Sequence, residues 1–414
     1  MAGKVAVIGA GPNGLSTAAH LNARGLQPLV FGRAMEFWRE SLPEGMKLKS
    51  DGFALNLSEP SGRFTLKQFC QTRRLPYGDL GFPIPADTFV AYGDAFQKRF
   101  APQVEDRLVT RVARAEEGFR LTLDDGVVVE VEDVVMATGL GGHAHVPAPL
   151  AKVSSARASH SSAVTDCSRF AGQRVLVVGG GASATDCAAA LVKAGAEVSL
   201  VCRDRALRHV TGGPAFRNWR EELHAPTTPV GPGWARWIVT KAPRLFAWLP
   251  EWTRIHVVDA MLGPEPAWFI REELEGRIRV LPGREILGAR ETELGVDVEL
   301  GRVGSQIEYF RADHVVLGTG YKVDLRRLKM LAPELLAEIG RVGTAPRLSS
   351  TFESSVPGLY FVGAVAAYTF GPMMRFVCGA DFAARRVAAA IEARQTAKAS
   401  RVSLSSSLVK LVQS

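Results

Sequence analysis

The sequence predicts an α/β protein built on two Rossmann-like dinucleotide-binding domains, one of them inserted into the other. The first observation is an internal repeat, because residues 4–31 and 174–201 share one pattern of residue types. Each stretch runs from an apolar strand through a glycine-rich turn and a helix of small residues to a second apolar strand. The second observation is this order itself, since a βαβ context distinguishes a nucleotide-binding turn from an ordinary glycine-rich loop.

Composition places the chain among globular proteins of several domains. Of its 414 residues, 47% are hydrophobic and 22% are charged, and glycine is enriched at 41 residues. The net charge of +8 favours a phosphorylated ligand, and the scattered cations predict no nucleic acid partner. Five cysteines without a Cys-x-x-Cys pair argue against a dithiol centre and a zinc site, so no metal is expected. With no leader and no membrane-spanning stretch in view, the expected location is the cytoplasm.

The glycine-rich turns meet the geometric demands of a bound pyrophosphate. The first turn reads GAGPNG over residues 9–14, and the second reads GGGASA over residues 179–184. Gly9 permits the sharp exit from the strand, Gly11 lets the backbone approach the phosphates, and Gly14 lets the helix pack closely. Free N–H groups and the helix dipole then hold the anion. The second turn has alanine in the third small position.

The ribose positions are unusual in both units. An acidic residue about 20 residues after the turn commonly binds a ribose hydroxyl, but the corresponding positions are Gly32 and Cys202. Arg203 follows directly in the second unit, and a guanidinium there suits the 2′-phosphate of NADPH better than NADH. In the first unit, Arg33 or Glu36 is the candidate for contacting the adenosine.

Further glycine turns follow apolar strands. Thr138-Gly139 ends one such run and Thr319-Gly320 ends another, and each marks a return of the chain to one of the two domains. A later strand enters a turn at Gly363, and the loop 371–376 then leads into a helix of small residues. That helix start offers N–H donors to a developing negative charge, such as that of a reduced flavin, or simply caps the sheet.

Together these motifs resemble the flavin-containing monooxygenase-like, class B branch of the two-dinucleotide-binding flavoproteins, over roughly residues 4–390. The resemblance implies FAD at the first turn and NADPH at the second. The expected cofactor-binding residues are Gly9, Gly11, Pro12, Asn13 and Gly14 for FAD, Gly179, Gly181, Ser183 and Arg203 for NADPH, and Arg33, Trp38, Thr138, Gly139, His160, Gly320, Gly363, Gly371 and Met374 around them.

One fingerprint of this branch is incomplete here. Ahead of the second turn the family has Phe-x-Gly-x-x-x-His with an aromatic residue four positions later. In this chain Ser154, Ala156 and Val164 occupy the Phe, Gly and aromatic positions, and His160 is kept. His160 is therefore either a cofactor residue or a loop histidine bonded to the backbone.

The resemblance and the repeat together imply the domain layout. The FAD-binding domain is expected to comprise residues 1–149 and 322–395. The NADPH-binding domain is expected to fill residues 150–321, and residues 396–414 are expected to form a flexible tail.

A Trp-rich segment over residues 206–272 holds six of the seven tryptophans. Pro243 and Pro250 should divide it into short helices, with Trp234 and Trp237 on one helical face. Three interpretations stay open. The segment caps the mouth of the site and gates an apolar or aromatic substrate, forms a core or dimer contact, or binds a membrane peripherally through Trp and Arg.

The implied function is an NADPH-dependent FAD monooxygenase, in which a C4a-peroxyflavin oxygenates a small N-, S- or C-centred substrate with O₂. Because the cofactor carries this chemistry, no acid–base triad is expected. Asn56 is a candidate catalytic residue near the flavin ring or else a turn residue, and Arg375 would face the substrate or a pyrophosphate. Two alternatives are a flavin reductase passing electrons to a ferredoxin, quinone or other acceptor, and a flavoprotein that only binds or senses.

Overall fold

Strands and helices alternate along the chain, as the sequence predicts. The computed structural model describes residues 4–207, 217–261, 265–302 and 306–412. The strands in chain order are β1 Val5–Ile8, β2 Leu29–Phe31, β3 Lys47–Leu48, β4 Ile84–Pro85, β5 Val104–Glu105, β6 Val109–Arg114, β7 Phe119–Leu123, β8 Val128–Val131, β9 Asp133–Met136, β10 Ala158–His160, β11 Arg174–Val178, β12 Glu197–Cys202, β13 Arg279–Pro282, β14 Glu285–Thr292, β15 Gly295–Gly301, β16 Glu308–Ala312, β17 His314–Leu317, β18 Arg341–Val342, β19 Ala345–Pro346 and β20 Leu359–Phe361.

The α-helices carry most of the small and apolar residues between these strands. In chain order they are α1 Pro12–Asn22, α2 Glu36–Glu40, α3 Leu66–Arg73, α4 Ala86–Phe100, α5 Ala182–Lys193, α6 Trp219–His224, α7 Trp234–Lys241, α8 Pro243–Phe246, α9 Glu251–Met261, α10 Arg271–Leu274, α11 Pro333–Glu338, α12 Ala367–Phe370 and α13 Gly379–Val412.

Two five-stranded parallel sheets form the framework. The first has the order β20-β9-β1-β2-β5 and the second the order β10-β17-β11-β12-β13. In each sheet the first strand of the repeat is central, with the second strand of the repeat on one side and a later strand, β9 or β17, on the other. The shared order confirms the predicted pair of Rossmann-like units.

The central strands are apolar because both faces of each sheet are covered. Every residue of β1, β9 and β17 is buried, as is typical of parallel sheets between layers of helices. The core of the first sheet extends into α1, α4 and α13, whereas that of the second involves α5 and α10. The glycine-rich turns therefore leave rigid, buried strands, which fixes their position.

The chain crosses between the sheets twice, and the crossings pair with each other. It leaves the first sheet through residues 137–145 and returns through residues 318–322, where the backbone N–H of His145 donates to the carbonyl oxygen of Gly320 at 2.9 Å. All strands of the second sheet lie between these crossings, and β20 rejoins the first sheet afterwards. This connectivity agrees with an inserted domain, whose bounds stay a prediction.

The Trp-rich segment is helical where the structure describes it. Pro243 is the first residue of α8, and α9 begins directly after Pro250, which confirms the short helices predicted from the prolines. Residues 208–216 and 262–264 of this segment lie outside the described residues.

The last helix reaches farther than the sequence suggests. α13 continues over residues 396–412, within the range predicted as a flexible tail. The beginning of this stretch is anchored to the first sheet and its neighbourhood. Gln395 Nε2 donates to Asp133 Oδ2 at 3.2 Å, and Lys398 Nζ lies 3.0 Å from Glu117 Oε2. Alanine, leucine and lysine in this stretch favour helix, and its mobility stays a prediction.

Candidate functional site

At the first glycine-rich turn, two glycines are required by the fold and one is not. Gly9 has φ +109°, and a side chain there would overlap the carbonyl oxygen of Ala137. A side chain at Gly14 would overlap the carbonyl oxygen of Gly9. Gly11 has an ordinary φ of −82°, and a methyl group on it would meet nothing within 4 Å. The space beside Gly11 is the close approach that a pyrophosphate needs.

The start of α1 is prepared for an anion. No side chain caps the helix at Gly11, and its first turn contains no acidic residue, so the positive end of the dipole is open. Pro12 occupies the first helical position. Asn13 Oδ1 is buried without a hydrogen-bond partner in the protein, and the Asn13 amide packs against Gly363, whose φ is +80°. These features fit a dinucleotide at the first turn.

The second turn repeats this construction. Gly179 has φ +134°, and a side chain on it would overlap the carbonyl oxygen of Gly318. Gly181 precedes α5 and provides no side-chain cap. Ser183 is half-buried in the first turn of α5, and its hydroxyl forms no hydrogen bond within the described ranges. The residues present therefore fit a second dinucleotide.

Near the end of β2, Arg33 holds two carboxylates that the sequence does not bring together. Gly32 has φ +123°, a conformation that disfavours any other residue there. Arg33 donates to Glu36 Oε1 at 3.0 Å and to Asp106 Oδ1 at 3.1 Å. Both carboxylates are therefore gathered by the residue that directly follows Gly32. Asp106 was not predicted, because β5 has two residues and gives no strand pattern.

Arg203 directly follows β12. Its side chain is exposed and forms no ion pair with any residue that the structure describes. An unpaired guanidinium at this position is available for a phosphate group of a nucleotide on the second turn.

His160 is bonded to the crossing segments. Its Nδ1 accepts from the backbone N–H of Ser162 at 3.2 Å, so its Nε2 carries the proton and donates to the carbonyl oxygen of Gly320 at 3.1 Å. Burial lowers the pKa of His160, while the bond to Gly320 opposes that shift. Of the two alternatives that the sequence leaves open, these bonds favour the backbone-bonded histidine, which ends β10 rather than lying in a loop. Gly320 and Gly139 have φ +71° and +64°.

The residues near the C-terminal loop occupy different environments. Gly371 has φ +96° and lies against the ring of Phe246, since a methyl group there would be 3.4 Å from the ring. Met374 is buried in the core, and its backbone N–H donates to the carbonyl oxygen of Gly371 at 3.2 Å. Trp38 packs edge-to-face on Phe89, with ring centroids 4.8 Å apart.

Asn56 is fully engaged in local structure. Its Oδ1 accepts from the backbone N–H of Leu66 at 2.8 Å, at the start of α3, and its Nδ2 donates to the carbonyl oxygen of Phe53 at 3.0 Å. The amide therefore fixes the loop before α3, as a turn residue would.

Arg375 forms no direct ion pair within the described part of the chain. Its side chain is half-buried and makes no hydrogen bond to any described residue. Burial lowers the pKa of Arg375, while Tyr368 and Asp259 oppose that shift. Tyr368 Oη donates to Asp259 Oδ1 at 3.0 Å, which links this loop to α9 of the Trp-rich segment. Arg375 is available for an anionic ligand.

One acid inside α5 escapes sequence analysis. Asp186 is buried, and its Oδ1 has no hydrogen-bond partner. Burial raises the pKa of Asp186 to about 7, against the opposing charge of Lys49 from the first half of the chain. Lys49 Nζ donates to the carbonyl oxygen of Glu265 at 2.6 Å. In the sequence, only the position of one acidic residue among the small residues of α5 indicates that Asp186 is unusual.

The described residues contain neither a metal-binding cluster nor a membrane-spanning helix. Among the described residues, no group of three or more His, Cys, Asp or Glu side chains could hold a metal ion. In the same part of the chain, none of the helices combines the length and hydrophobicity needed to cross a bilayer.

Comparison with known proteins places these two turns in a family. A family model described as pyridine nucleotide-disulphide oxidoreductase matches residues 6–215, about half of the chain. Indole-3-pyruvate monooxygenase YUCCA1 from Oryza sativa subsp. japonica is 28% identical over 386 residues, covering 86% of this chain and 85% of that protein. Ferredoxin–NADP reductase 1 from Cupriavidus pinatubonensis is 36% identical over 126 residues, covering 29% of this chain and 34% of that protein.

The fold itself has solved counterparts. Ornithine hydroxylase (PvdA) from Pseudomonas aeruginosa superposes with a TM-score of 0.73 at 16% identity, covering 95% of this chain and 99% of that one. The paired turns, the shared sheet order and the family match agree with the predicted resemblance. The chain belongs to the pyridine nucleotide-disulphide oxidoreductase family, which makes it an oxidoreductase.

Proposed function

We propose that the protein is an NADPH-dependent flavin monooxygenase that transfers one oxygen atom of O₂ to a small organic substrate. FAD would occupy the first turn, in a domain of residues 1–149 and 322–395, and NADPH the second, in residues 150–321. The observation that carries the proposal is the pair of uncapped helix starts, each next to a turn built for a pyrophosphate. The similarity to YUCCA1 over most of both chains supports oxygen transfer.

When bound, the flavin accepts a hydride from NADPH and activates O₂, and the protein supplies binding and orientation. The N–H groups at the starts of α1 and α5 would hold the two pyrophosphates. Glu36 and Asp106 would accept hydrogen bonds from the ribose of FAD, since both are held by Arg33, which directly follows Gly32. Arg203 would bind the 2′-phosphate of NADPH, which distinguishes it from NADH.

The substrate would combine an apolar or aromatic body with an anionic group. Arg375 pairs directly with no acid in the described ranges, and it lies on the loop that packs against the Trp-rich segment, where Phe246 covers Gly371. A substrate carboxylate would supply the missing charge. The relative named for indole-3-pyruvate acts on an aromatic molecule that carries such a carboxylate. Asn56, with both ends of its amide engaged, would position the loop before α3 rather than take part in the reaction.

A flavin reductase is the second candidate. The likeness to a ferredoxin–NADP reductase favours it, although this covers about a third of that protein. Both candidates require hydride transfer from the nicotinamide, and they differ in where the two electrons go next.

The experiment uses FAD-loaded protein with NADPH, isotopically labelled O₂ and indole-3-pyruvate as a probe substrate. Oxygen transfer consumes one NADPH per product, and places one labelled atom in the organic product and the other in water. Mass spectrometry should find that label. NADPH-driven reduction of a quinone or ferredoxin, with no label in any organic product across a panel of aromatic carboxylates, amines and sulfides, would favour the reductase.

Arg375→Gln, with Arg326→Gln as a surface control, tests the anionic group. We expect KM for carboxylate substrates to rise by about tenfold, while KM for neutral analogues and the FAD content stay the same. An equal effect on neutral and anionic substrates would contradict this role.

A further inference from the structure

The Trp-rich segment presents a large apolar surface to solvent. We name the following exposed side chains the Trp ridge: Trp219, Leu223, Trp234, Trp237, Ile238, Leu245, Trp248, Leu249 and Trp252. Trp248 is 82% exposed, Trp252 73% and Trp219 71%. Isolated exposed apolar residues are common, but a contiguous group of this size marks an interaction surface.

The ridge is the outer face of a fixed layer. On the inner side, Phe246 packs on Gly371, and Arg254 Nη1 donates to the carbonyl oxygen of Tyr368 at 2.9 Å. Pro243 and Val258 are also buried. Because the inner residues hold α8 and α9 against the loop after β20, the outward tryptophans cannot turn inward without breaking that packing.

The ridge is also continuous between helices. Trp234 Nε1 donates to the carbonyl oxygen of Leu223 at 3.0 Å, which ties α7 to α6. The rings of Trp234 and Trp237 lie edge-to-face with centroids 5.7 Å apart. One residue separates α7 from α8, so the apolar surface passes directly to Leu245 and Trp248.

The unpaired charges between Trp234 and Trp252 have one sign. This stretch has four charged residues, of which Arg236 pairs with Glu265 at 3.5 Å and Glu251 pairs with Arg347 at 3.2 Å. The other two, Lys241 and Arg244, are exposed and form no ion pair with a described residue. On α6, Glu221 offsets Arg220, and Glu222 pairs with Arg217 at 3.7 Å. The stretch on α7 to α9 therefore offers exposed indoles and two unpaired cations.

We propose that the Trp ridge docks on an anionic lipid surface. Indole rings favour the boundary between headgroups and acyl chains, because they combine an apolar body with a polar N–H. Lys241 and Arg244 would meet the headgroup phosphates. Charge complementarity favours a negatively charged bilayer, because the two unpaired charges between Trp234 and Trp252 are both positive. Docking would bring the loop that carries Arg375, on the inner side of this layer, close to the membrane.

The test is co-sedimentation of the full-length, FAD-loaded protein with vesicles. We expect binding to mixed phosphatidylglycerol–phosphatidylcholine vesicles, weaker binding to phosphatidylcholine alone, and loss at high salt. Trp248→Ala/Trp252→Ala and Lys241→Gln/Arg244→Gln should each reduce binding by about tenfold. Leu294→Ala/Tyr309→Ala removes two equally exposed side chains on other elements and should leave binding unchanged.

Folding and self-association are checked on the same samples. Because the substituted tryptophans are exposed, the variants should unfold at the wild-type temperature, and wild-type tryptophan fluorescence should shift to the blue on adding anionic vesicles. Failure of the wild-type protein to bind anionic vesicles, or equal binding by all variants, would overturn the proposal. So would light scattering that shows a wild-type dimer turned into a monomer by Trp248→Ala/Trp252→Ala, because the ridge would then join two copies.

Discussion

Gly11 has a backbone conformation that any residue can adopt, at φ −82°, and its surroundings leave room for a methyl group. Glycine at this position therefore serves the ligand rather than the fold. Gly9 and Gly14 differ, because side chains there would overlap the backbone of the turn. Ligand binding and folding can thus be separated within one turn.

Gly11→Ala should weaken FAD binding by about tenfold or more, since the new methyl group occupies the space of the pyrophosphate. The cofactor-free variant should unfold at the wild-type temperature. FAD content by absorbance and thermal unfolding of the apoprotein are the two measurements. Gly14→Ala is the matched control and should lower the unfolding temperature. Full FAD occupancy in folded Gly11→Ala would contradict the assignment.

A substitution of Arg203 tests the preference for NADPH over NADH. Replacing it with glutamine removes the free cation at the end of β12 and should raise KM for NADPH by about tenfold, with KM for NADH unchanged. Arg205→Gln, an exposed arginine two residues on, should change neither constant. The measurement is steady-state oxidation of each nicotinamide. Equal losses with NADPH and NADH would contradict a contact with the 2′-phosphate.

Single residues show which parts of the site the sequence can predict. The turns at Gly9 and Gly179 can be predicted from the sequence because the glycines and the flanking strands are adjacent in the chain. Asp106 and Lys49 are not, since they reach their partners only through the pairing of distant strands or through contact between the halves. For His160 and Asn56, sequence could offer alternatives, and only the bond partners show that both serve the backbone.

Among the elements, the helix–strand contact at the second turn explains its alanine. Ala184 of α5 faces Gly318 after β17, where an added methyl group would overlap Ala184. In the first unit Gly14 of α1 faces Ala137 after β9, and an added methyl group would lie 3.4 Å from the Ala137 methyl group but overlap the carbonyl oxygen of Gly9. Alanine on the helix of the second unit is therefore accompanied by glycine at position 318.

Gly318→Ala should destabilise the protein by about 1–3 kcal/mol, because its methyl group overlaps Ala184. Ala184→Gly alone should cost up to about 1 kcal/mol through helix propensity. The double variant removes the overlap with the Ala184 methyl group, although the new methyl group still meets the backbone of residue 184, so its free energy of unfolding should drop by less than the sum of the single changes. Denaturant unfolding of the four proteins measures this. Additive losses would show that these two residues do not conflict.

Asp186 in α5 should make stability depend on pH. Its folded-state pKa is raised by burial to about 7, from 3.8. Between about pH 4 and pH 7 the unfolded chain has lost this proton and the folded chain keeps it. The free energy of unfolding should therefore fall as pH rises through this window, by up to about 1.4 kcal/mol per pH unit. Above about pH 7 the contribution is constant.

Asp186→Asn is the comparison, because asparagine is similar in size and does not titrate. The difference between wild type and variant, from urea unfolding at a series of pH values, isolates Asp186 from other acids. We expect the variant to gain relative stability as pH rises from 4 to 7. Parallel curves over this range would mean that the folded-state pKa of Asp186 is not raised.

The whole molecule consists of two units with the same sheet order and paired crossings between them. The repeat in the sequence predicts both units, because each contains a complete βαβ pattern. It could not predict how the Trp-rich helices are placed, since their position depends on Phe246 and Arg254 meeting the loop after β20. The helical backbone over residues 396–412 was likewise hidden by a composition typical of tails.

The central claim is that the second turn delivers a nicotinamide to a flavin held by the first. Rapid anaerobic mixing of FAD-loaded protein with NADPH or NADH, followed by absorbance of the oxidised flavin, tests it most directly. The account predicts loss of that absorbance, faster with NADPH than with NADH, and its return when O₂ is admitted. Flavin that stays oxidised with both nicotinamides would contradict the account.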